Sequence, residues 1–474
     1  MLFIRRTFLL LVCALPLFAG VKHLTLNQAI TILKKDNLEL KISRFNEQMK
    51  AYEAAAARGN NYGKLNVSLL GMRSNDAGNV FGFKLQSREA NFGDFGFSDF
   101  MGAIGQGAQQ ANGDFGAFSQ GLAEGGSSIL SMQPDDLNYP EARNHFQTKF
   151  SYMLPVYTGG KLKEYGKITQ SLYRMSKFDT QKLLNEKVFQ TKKTFYDIAL
   201  VENYLHNLSK IIYNIRKLES IVKSMKKEGY AKDIDILEVQ ARKSEAQSMY
   251  QQAKLNRELA YQFLSFLLNR EVSSISKMRD TVPMPHFTKK QLESQNIDIQ
   301  KAKLGLHISK MAVNVEKANF LPTVGAFAEY SSADNQLWND FKAKDAYTVG
   351  MQLEWNIFNG GIDKANLEKA KVQYMQVQDQ VRLAKKGIAL KAKKLKTEAL
   401  GANAEIRSYQ KQLKFARRLY QSYRARYKEG IVPISAVLIK QSKELEVLLK
   451  LLTAKNKRNT KIFELESLVN RGVN

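Results

Sequence analysis

The sequence predicts a mainly α-helical protein with amphipathic β-strands, built from two copies of one structural half. Three observations predict this fold class. Two stretches of 68 residues contain no proline, which is typical of long helices. Segments in which apolar and polar residues alternate precede both stretches. The motifs that bound the stretches recur at a constant offset of 201 residues: Gly159-Gly160 with Gly360-Gly361, and Lys227-Glu228-Gly229 with Lys428-Glu429-Gly430.

The first 19 residues predict an export signal that is removed from the mature chain. Arg5 and Arg6 precede an almost unbroken apolar run over residues 7–18. The single cysteine, Cys13, lies within this segment. The mature chain is therefore expected to have no thiol, which excludes disulfides, zinc–thiolate sites and cysteine nucleophiles.

Composition narrows the class of protein further. The net charge is +27, but an exported protein rarely meets nucleic acid, so no nucleic-acid partner is expected. Past the signal, no apolar run reaches the roughly 18 residues that a transmembrane helix needs. The five histidines are widely separated, and no HExxH, CxxC, GxSxG or Walker-type motif occurs. We therefore expect no enzyme, no cofactor and no metal site.

A third pair of motifs shows how the two copies differ. Asn37-Leu38-Glu39-Leu40 is similar to Asn296-Ile297-Asp298-Ile299, at an offset of 259 residues. The first copy therefore carries 58 extra residues between its early helix and its glycine pair. Duplicated units of this length are too long for a solenoid. We expect a first repeat over residues 20–270, a linker over 271–290 and a second repeat over 291–474.

Each repeat is expected to begin with one helix of roughly 30 residues, from about Leu26 and about Lys290, followed by two strands. The strands are expected at residues 65–69 and 146–156 in the first copy, and at 324–330 and 347–357 in the second. Their alternation suits either a soluble sandwich or transmembrane β-strands. We favour transmembrane strands, because the protein is exported and each second strand leads straight into a very long helix.

The proline-free stretches predict helices of roughly 100 Å. Glycine suits the left-handed residue that ends a helix, so Gly229 and Gly430 are expected to be turns. Residues with 4-3 spacing predict a returning helix, with Pro433 in its first turn. These residues are Leu438, Gln441, Leu445, Leu448 and Leu452. The turns are then the tips of long antiparallel helical hairpins, and an ordinary coiled-coil hairpin is the alternative.

Four strands and two long hairpins in tandem resemble the TolC-type outer-membrane efflux and secretion channels. The resemblance covers nearly the whole mature chain. It rests on three motifs. They are Leu321-Pro322 before the third strand, the two glycine pairs at the strand-to-helix junctions, and Gly229 followed six residues later by Asp235-Ile236-Leu237. The second copy departs from this pattern at its tip, because Ala436 stands where the first copy has an acid.

This resemblance implies a homotrimer in the outer membrane. Three chains would supply a 12-stranded β-barrel in contact with lipid, on an α-helical barrel that extends into the periplasm. It also implies a passive exit duct that works with a periplasmic adaptor and an inner-membrane pump, in efflux or in type I secretion. A coiled-coil surface or adhesion protein anchored by a small barrel is the alternative.

The resemblance also assigns candidate site residues. Adaptor contacts are expected at the hairpin tips: Gly229, Tyr230, Ala231, Lys232, Gly430, Ile431, Val432 and Pro433. Strand-to-helix junctions are expected at Gly159, Gly160, Gly360 and Gly361. Candidates for an acidic aperture are Asp233, Asp235 and Glu238, with nearby cations as partners. The same acids could instead favour the start of the returning helix through its dipole.

Two further segments have open interpretations. A loop over about residues 73–145 is rich in glycine and phenylalanine and carries nine acidic and three basic residues from Ser74 to Asn144. It is expected either to be disordered or to form a partly ordered cap or plug, and we favour the second. Seven cations and no acid lie between Arg382 and Lys396. They predict a solvated helix face or a basic tunnel lining.

Overall fold

The computed structural model describes residues 21–276 and 282–470. The predicted export signal lies outside the described residues. The helices and strands, in chain order, are α1 (Leu26–Asp36), α2 (Leu38–Gly59), β1 (Lys64–Ser74), α3 (Ala77–Gln86), α4 (Phe97–Gln110), α5 (Phe115–Leu130), α6 (Asp135–Asn138), β2 (Arg143–Thr158), α7 (Lys161–Lys227), α8 (Asp233–Leu268), α9 (Lys289–Gln295), α10 (Ile297–Ala318), β3 (Thr323–Asp334), β4 (Asp345–Glu354), α11 (Ile362–Lys428) and α12 (Ile434–Leu468).

The chain forms two compact units, and each contains segments from both repeats. One unit comprises residues 53–169 and 311–371, which include the four strands and the helices between β1 and β2. The other comprises the described residues up to 52, from 170 to 310 and from 372 onward, and it is mainly helical. Among the described helices, none is both long and apolar enough to span a membrane.

The four strands form one antiparallel sheet in the order β1-β2-β3-β4. Lys64 pairs with Met153, and Thr323 pairs with both Thr158 of β2 and Glu354 of β4. The ladder between β2 and β3 shifts at a bulge near Pro155, where proline has no N–H to donate. The predicted strands are confirmed, although β4 ends at Glu354, three residues before the expected end. β1 and β4 lie at the edges, so each has one unpaired side within the chain.

The two long helices are confirmed. α7 and α11 have 67 residues each, which corresponds to about 100 Å at the usual rise of an α-helix. Each is followed, two residues after its end, by a glycine in the left-handed region, with φ of +81° at Gly229 and +73° at Gly430. Glycine adopts this conformation without steric penalty, which is why the chain turns at these two sites.

The prediction of one early helix in each repeat is wrong, because an extended asparagine divides it. Asn37 separates α1 from α2, and Asn296 separates α9 from α10. The Asn37 side chain accepts from the Leu40 N–H at 2.9 Å and donates to the Leu267 carbonyl at 2.8 Å. Asn296 bonds in the same way to Ile299 and to the Leu468 carbonyl, at 3.0 Å each. Each asparagine therefore starts one helix and satisfies the end of another.

The returning helices are shorter than the outgoing ones. α8 and α12 have 36 and 35 residues, about half the length of α7 and α11. The tips are hairpins as predicted, but the two arms of each hairpin are unequal. Pro433 lies at the N-cap of α12, one residue before the predicted first turn.

Apolar side chains of α7, α8, α11 and α12 form one buried cluster near the tips, which includes Leu218, Val239, Leu413 and Leu438. Short helices add a second layer further from the tips. Leu33 of α1 packs with Phe195 and Leu264 of α7 and α8. In the second repeat, Leu292 of α9 packs with Leu395 and Leu465 of α11 and α12. The two repeats therefore use the same arrangement of layers.

The glycine- and phenylalanine-rich segment is largely helical, so full disorder is excluded for its described residues. It contains α3 to α6 and a 3₁₀ turn over Phe92–Phe95. Asp76 accepts from the Asn79 N–H at the start of α3, and Asn91 with Asp94 forms a capping box at the start of the 3₁₀ turn. Phe83 of α3 stacks on His145 of β2, with ring centroids 4.2 Å apart. The segment is therefore anchored on the end of the sheet.

Candidate functional site

The sheet exposes a row of apolar side chains. Tyr347, Val349 and Met351 on β4 are exposed, and they alternate with polar residues such as Thr348 and Gln352. An exposed apolar face opposite a polar face is the pattern of a strand between lipid and water. β1 shows the same exposure at Leu65, Val67 and Leu69.

A charged network joins the inserted helices to the end of the sheet. Glu89, after α3, forms ion pairs with Arg143 of β2 and Lys344 before β4. Lys344 also pairs with Asp334 at 2.9 Å. Burial acts to raise the pKa of Glu89, but hydrogen bonds from Lys344 and Arg143 outweigh it and leave the pKa below its usual range. The network therefore holds the insert through charges that are partly removed from water.

The two glycine pairs lie at the predicted strand-to-helix junctions. Gly159, Gly160, Gly360 and Gly361 all have positive φ, between +62° and +86°. A Cβ at Gly159 would lie 2.7 Å from the carbonyl oxygen of Ala318, whereas nothing lies within 4 Å of the same point at Gly360. The first junction therefore depends on glycine for close approach as well as for its backbone angle.

The tips present two exposed apolar side chains. Tyr230 is 77% exposed and Ile431 is 65% exposed, each directly after the turn glycine. Large apolar side chains at an exposed turn are available to a partner.

The other tip residues have structural contacts. Ala231 and Val432 pack against the buried cluster of the four helices. Lys232 and Pro433 are the N-cap residues of α8 and α12. The predicted tip set therefore contains residues that fix the turn as well as residues that are free to bind.

Two of the three predicted aperture acids form a hydrogen bond or an ion pair near the start of α8. Asp235 accepts from the backbone N–H of Lys232 at 2.8 Å, and Asp233 forms an ion pair with Lys226 of α7. Glu238 is partly buried one turn later. Burial raises the pKa of Tyr427, and the Asp235 carboxylate adds to this rise. The structure thus brings an acid of the first hairpin close to α11 of the second.

Comparison with known proteins tests the resemblance. The profile of the outer membrane efflux protein family matches residues 289–471, which contain β3, β4, α11 and α12. The match covers most of the second repeat. No curated protein matches the chain. The match supports a location in the outer membrane, with an extension into the periplasm.

Solved structures share the fold over both repeats. The CmeC outer membrane channel of Campylobacter jejuni is 14% identical, with 94% of this chain and 86% of that chain covered and a TM-score of 0.74. VceC of Vibrio cholerae is 11% identical, with 95% and 97% covered and a TM-score of 0.73. The MtrE outer membrane channel of Neisseria gonorrhoeae is 14% identical, with 94% and 89% covered and a TM-score of 0.71.

Sequence reasoning also missed a polar centre between α7 and α8. The Glu219 side chain of α7 is 9% exposed and pairs with Lys223 at 2.9 Å and with Lys243 of α8 at 2.7 Å. Hydrogen bonds from Lys243 and then Lys223 lower the pKa of Glu219 to about 2. The i,i+4 spacing of Glu219 and Lys223 was visible in the sequence, but the contribution of α8 depended on hairpin register.

Proposed function

We propose that this protein is a passive exit duct that works as a homotrimer with a periplasmic adaptor and an inner-membrane pump. A four-stranded sheet cannot enclose a water-filled bore, since even eight strands leave room for little more than side chains. Three copies would give twelve strands, with polar residues such as Thr348 and Gln352 facing the bore and apolar residues facing lipid.

The single observation that carries this proposal is the pair of free sheet edges. Among the residues that the structure describes, β1 and β4 each have no neighbouring strand on one side, and both carry exposed apolar side chains. Unpaired backbone groups cost several kcal/mol each in lipid, so spanning sheets close into barrels. Pairing of β1 in one copy with β4 in the next would satisfy both edges.

The helices offer matching surfaces for such an assembly. Five exposed apolar side chains of α2 keep a 4-3 spacing, which is the pattern of an unpaired coiled-coil seam. They are Leu38, Ile42, Phe45, Met49 and Tyr52. On α11, exposed Leu383 and Leu390 lie seven residues apart and therefore on one side of the helix. Contact between neighbouring copies would remove these surfaces from water.

Exposed Tyr230 and Ile431 support the tips as the adaptor contact, with the neighbouring tip residues holding the turns. We expect that replacing Gly229 and Gly430 by valine reshapes both tips, because β-branched residues are strained at positive φ. Efflux in the native organism should then fall at least about tenfold, which corresponds to roughly 1.4 kcal/mol of docking free energy. Assembly should survive, because the sheet edges are unchanged.

Assembly is read out in the same strains by cross-linking the sheet edges. Cysteines at Val67 and Val349, joined by a bifunctional maleimide, should give products of one, two and three chains and no larger. A control variant, Gly113→Val, carries the same strain at φ of +84° in the insert, where nothing lies within 4 Å. Cross-linking that stops at two chains overturns the trimer, and efflux that survives the tip substitutions overturns the adaptor contact.

We further propose that Asp233, Asp235 and Glu238 narrow the periplasmic opening, since three copies would bring nine carboxylates towards one axis. The bonds of Asp233 to Lys226 and of Asp235 to Lys232 are local, so they also fit a role in capping. Replacing Asp233 and Asp235 by asparagine should raise single-channel conductance in planar bilayers and weaken block by multivalent cations. Asp363→Asn, at the start of α11, is the matched control. Wild-type conductance and wild-type cation block together would assign these acids to capping alone.

A further inference from the structure

A basic surface lies on one flank of α11, and the proposed function does not use it. Lys385, Lys386, Lys393 and Lys396 form this surface, and the last three are exposed. Lys386 and Lys393 are seven residues apart, and Lys393 and Lys396 are three apart, so they lie on one side of the helix. None of the four has an ion pair among the described residues, and no acid occurs between Arg382 and Lys396.

Charge is segregated between the two flanks of α11. On the opposite flank, Glu398 pairs with Lys461 and Glu405 pairs with Lys457 of α12, at 3.3 Å each. Lys394 and Lys391 lie four and seven residues before Glu398 and therefore on its side. The positive charges on that flank are therefore neutralised by nearby acids, whereas those of the basic surface are not.

The basic surface continues the face on which α9 and the segment before it pack. Ile388 and Ala392 of α11 contact the cluster that contains Leu292, Met284 and Phe287. Lys385 lies three residues before Ile388, and Lys396 lies four residues after Ala392. On a helix these spacings place the two lysines next to the contact, one at each end of it. Lys289 and Lys290 of α9 are also exposed.

In the proposed trimer, the long helices form a tube that extends into the periplasm. The face of α11 that packs against α9 must lie on the outside of this tube. Each wall of the tube is one layer of long helices, and the short helices α1 and α9 form a second layer on one side of it. Three copies of a second layer on the inner side would fill the bore. The basic surface next to α9 therefore lies outside the tube, on the part that extends into the periplasm.

We propose that this surface binds the anionic cell wall. An outer-membrane tube with helices of about 100 Å passes through the layer of glycan strands and peptides that lies beneath the outer membrane. Those peptides carry free carboxylates, which are complementary in charge to the lysines of the basic surface. The inference rests on the proposed function, because it needs the tube to define an outer face.

The test measures retention of the purified full-length protein on isolated cell-wall sacculi by co-sedimentation. Lys393→Gln with Lys396→Gln should weaken retention about thirtyfold, by analogy with lysines at other anionic surfaces. Lys391→Gln with Lys394→Gln removes the same charge from the opposite flank and should leave retention unchanged. Retention of the wild-type protein should disappear in 1 M salt, where the Debye length is about 3 Å.

Each other outcome overturns the inference. Absence of wild-type retention, retention that persists in high salt, or equal loss in the two double variants would each exclude the basic surface as the contact. Unchanged retention with altered anion selectivity in Lys393→Gln/Lys396→Gln would place these lysines in the bore. The same preparations are recorded in planar bilayers: a protein that conducts but does not bind sacculi overturns only this inference, whereas one that does not conduct overturns the duct.

Discussion

Valine at Gly159 should prevent assembly of the channel. The substitution places a β-branched residue at φ of +62°, where non-glycine residues are strained by roughly 1–2 kcal/mol. Its Cβ would also lie 2.7 Å from the carbonyl oxygen of Ala318, a backbone atom that cannot move aside alone. β2 could then not lead into α7 beside α10. The amount of cross-linked trimer in outer-membrane fractions should fall to background.

Gly360→Val is the matched control for this substitution. Gly360 occupies the equivalent position in the second repeat at φ of +68°, but nothing lies within 4 Å of its missing Cβ. It should therefore suffer the backbone strain alone and still assemble, in reduced amount. Equal loss of assembly in both variants would show that backbone strain, and not the contact with Ala318, decides the outcome.

Loss of the Glu219 carboxylate should loosen the first hairpin more than loss of an exposed acid elsewhere. The pKa of Glu219 is about 2, well below its ordinary value. Because the folded pKa is lowered, the stabilisation is present above the ordinary pKa of the acid and is lost as the pH falls from about 4.5 towards 2. Its size is about 3 kcal/mol, so Glu219→Gln should speed hydrogen exchange of the surrounding α7 and α8 amides about a hundredfold.

Glu446→Gln on α12 provides the control. Lys443 and then Lys450 also hold the pKa of Glu446 at about 2, but this carboxylate and both lysines are on the exposed surface. Solvent screens such pairs, so no measurable change in exchange is expected. If both substitutions accelerate exchange equally, or if neither does, burial is not what gives the Glu219 network its strength.

The long elements were predictable because each is specified locally. The absence of proline between Gly160 and Gly229 and the left-handed turn at Gly229 each determine structure within a few residues. The alternation in β4 is equally local. The sequence repeats all of them, so each prediction could be checked against its copy.

The division of the early helices is not predictable from the local sequence. Asn37 and Asn296 belong to one repeated motif, but each lies within an apolar periodic segment that predicts a continuous helix. What decides its conformation is the carbonyl of Leu267 or Leu468, more than 170 residues away in sequence. A buried bond over such a distance leaves no local pattern. The preference of asparagine for N-cap positions was the available signal.

The glycine-rich composition of the segment between β1 and β2 does not predict its helices, α3 to α6. Glycine lowers helix propensity, so α4 and α5 resemble a flexible loop when judged residue by residue. The signals of order were the starting residues: Asp76 before α3, and Asn91 three residues before Asp94. The ion pairs of Glu89 join parts of the chain that lie far apart in sequence, and no local pattern predicts them.

Each long helix packs beside two shorter helices that meet at an asparagine. The neighbours of α7 and α11 are therefore interrupted, whereas α7 and α11 are continuous. Beside α7, α8 ends where α2 begins, and the link is one side chain with two hydrogen bonds. α12 and α10 meet in the same way at Asn296. Torsion along α7 or α11 must distort a continuous ladder of backbone hydrogen bonds, whereas no such ladder runs from α8 into α2 or from α12 into α10. Each repeat thus contains one continuous helix beside one interrupted pair of helices. We expect the free energy cost of twisting the hairpin to be lowest at the interruption.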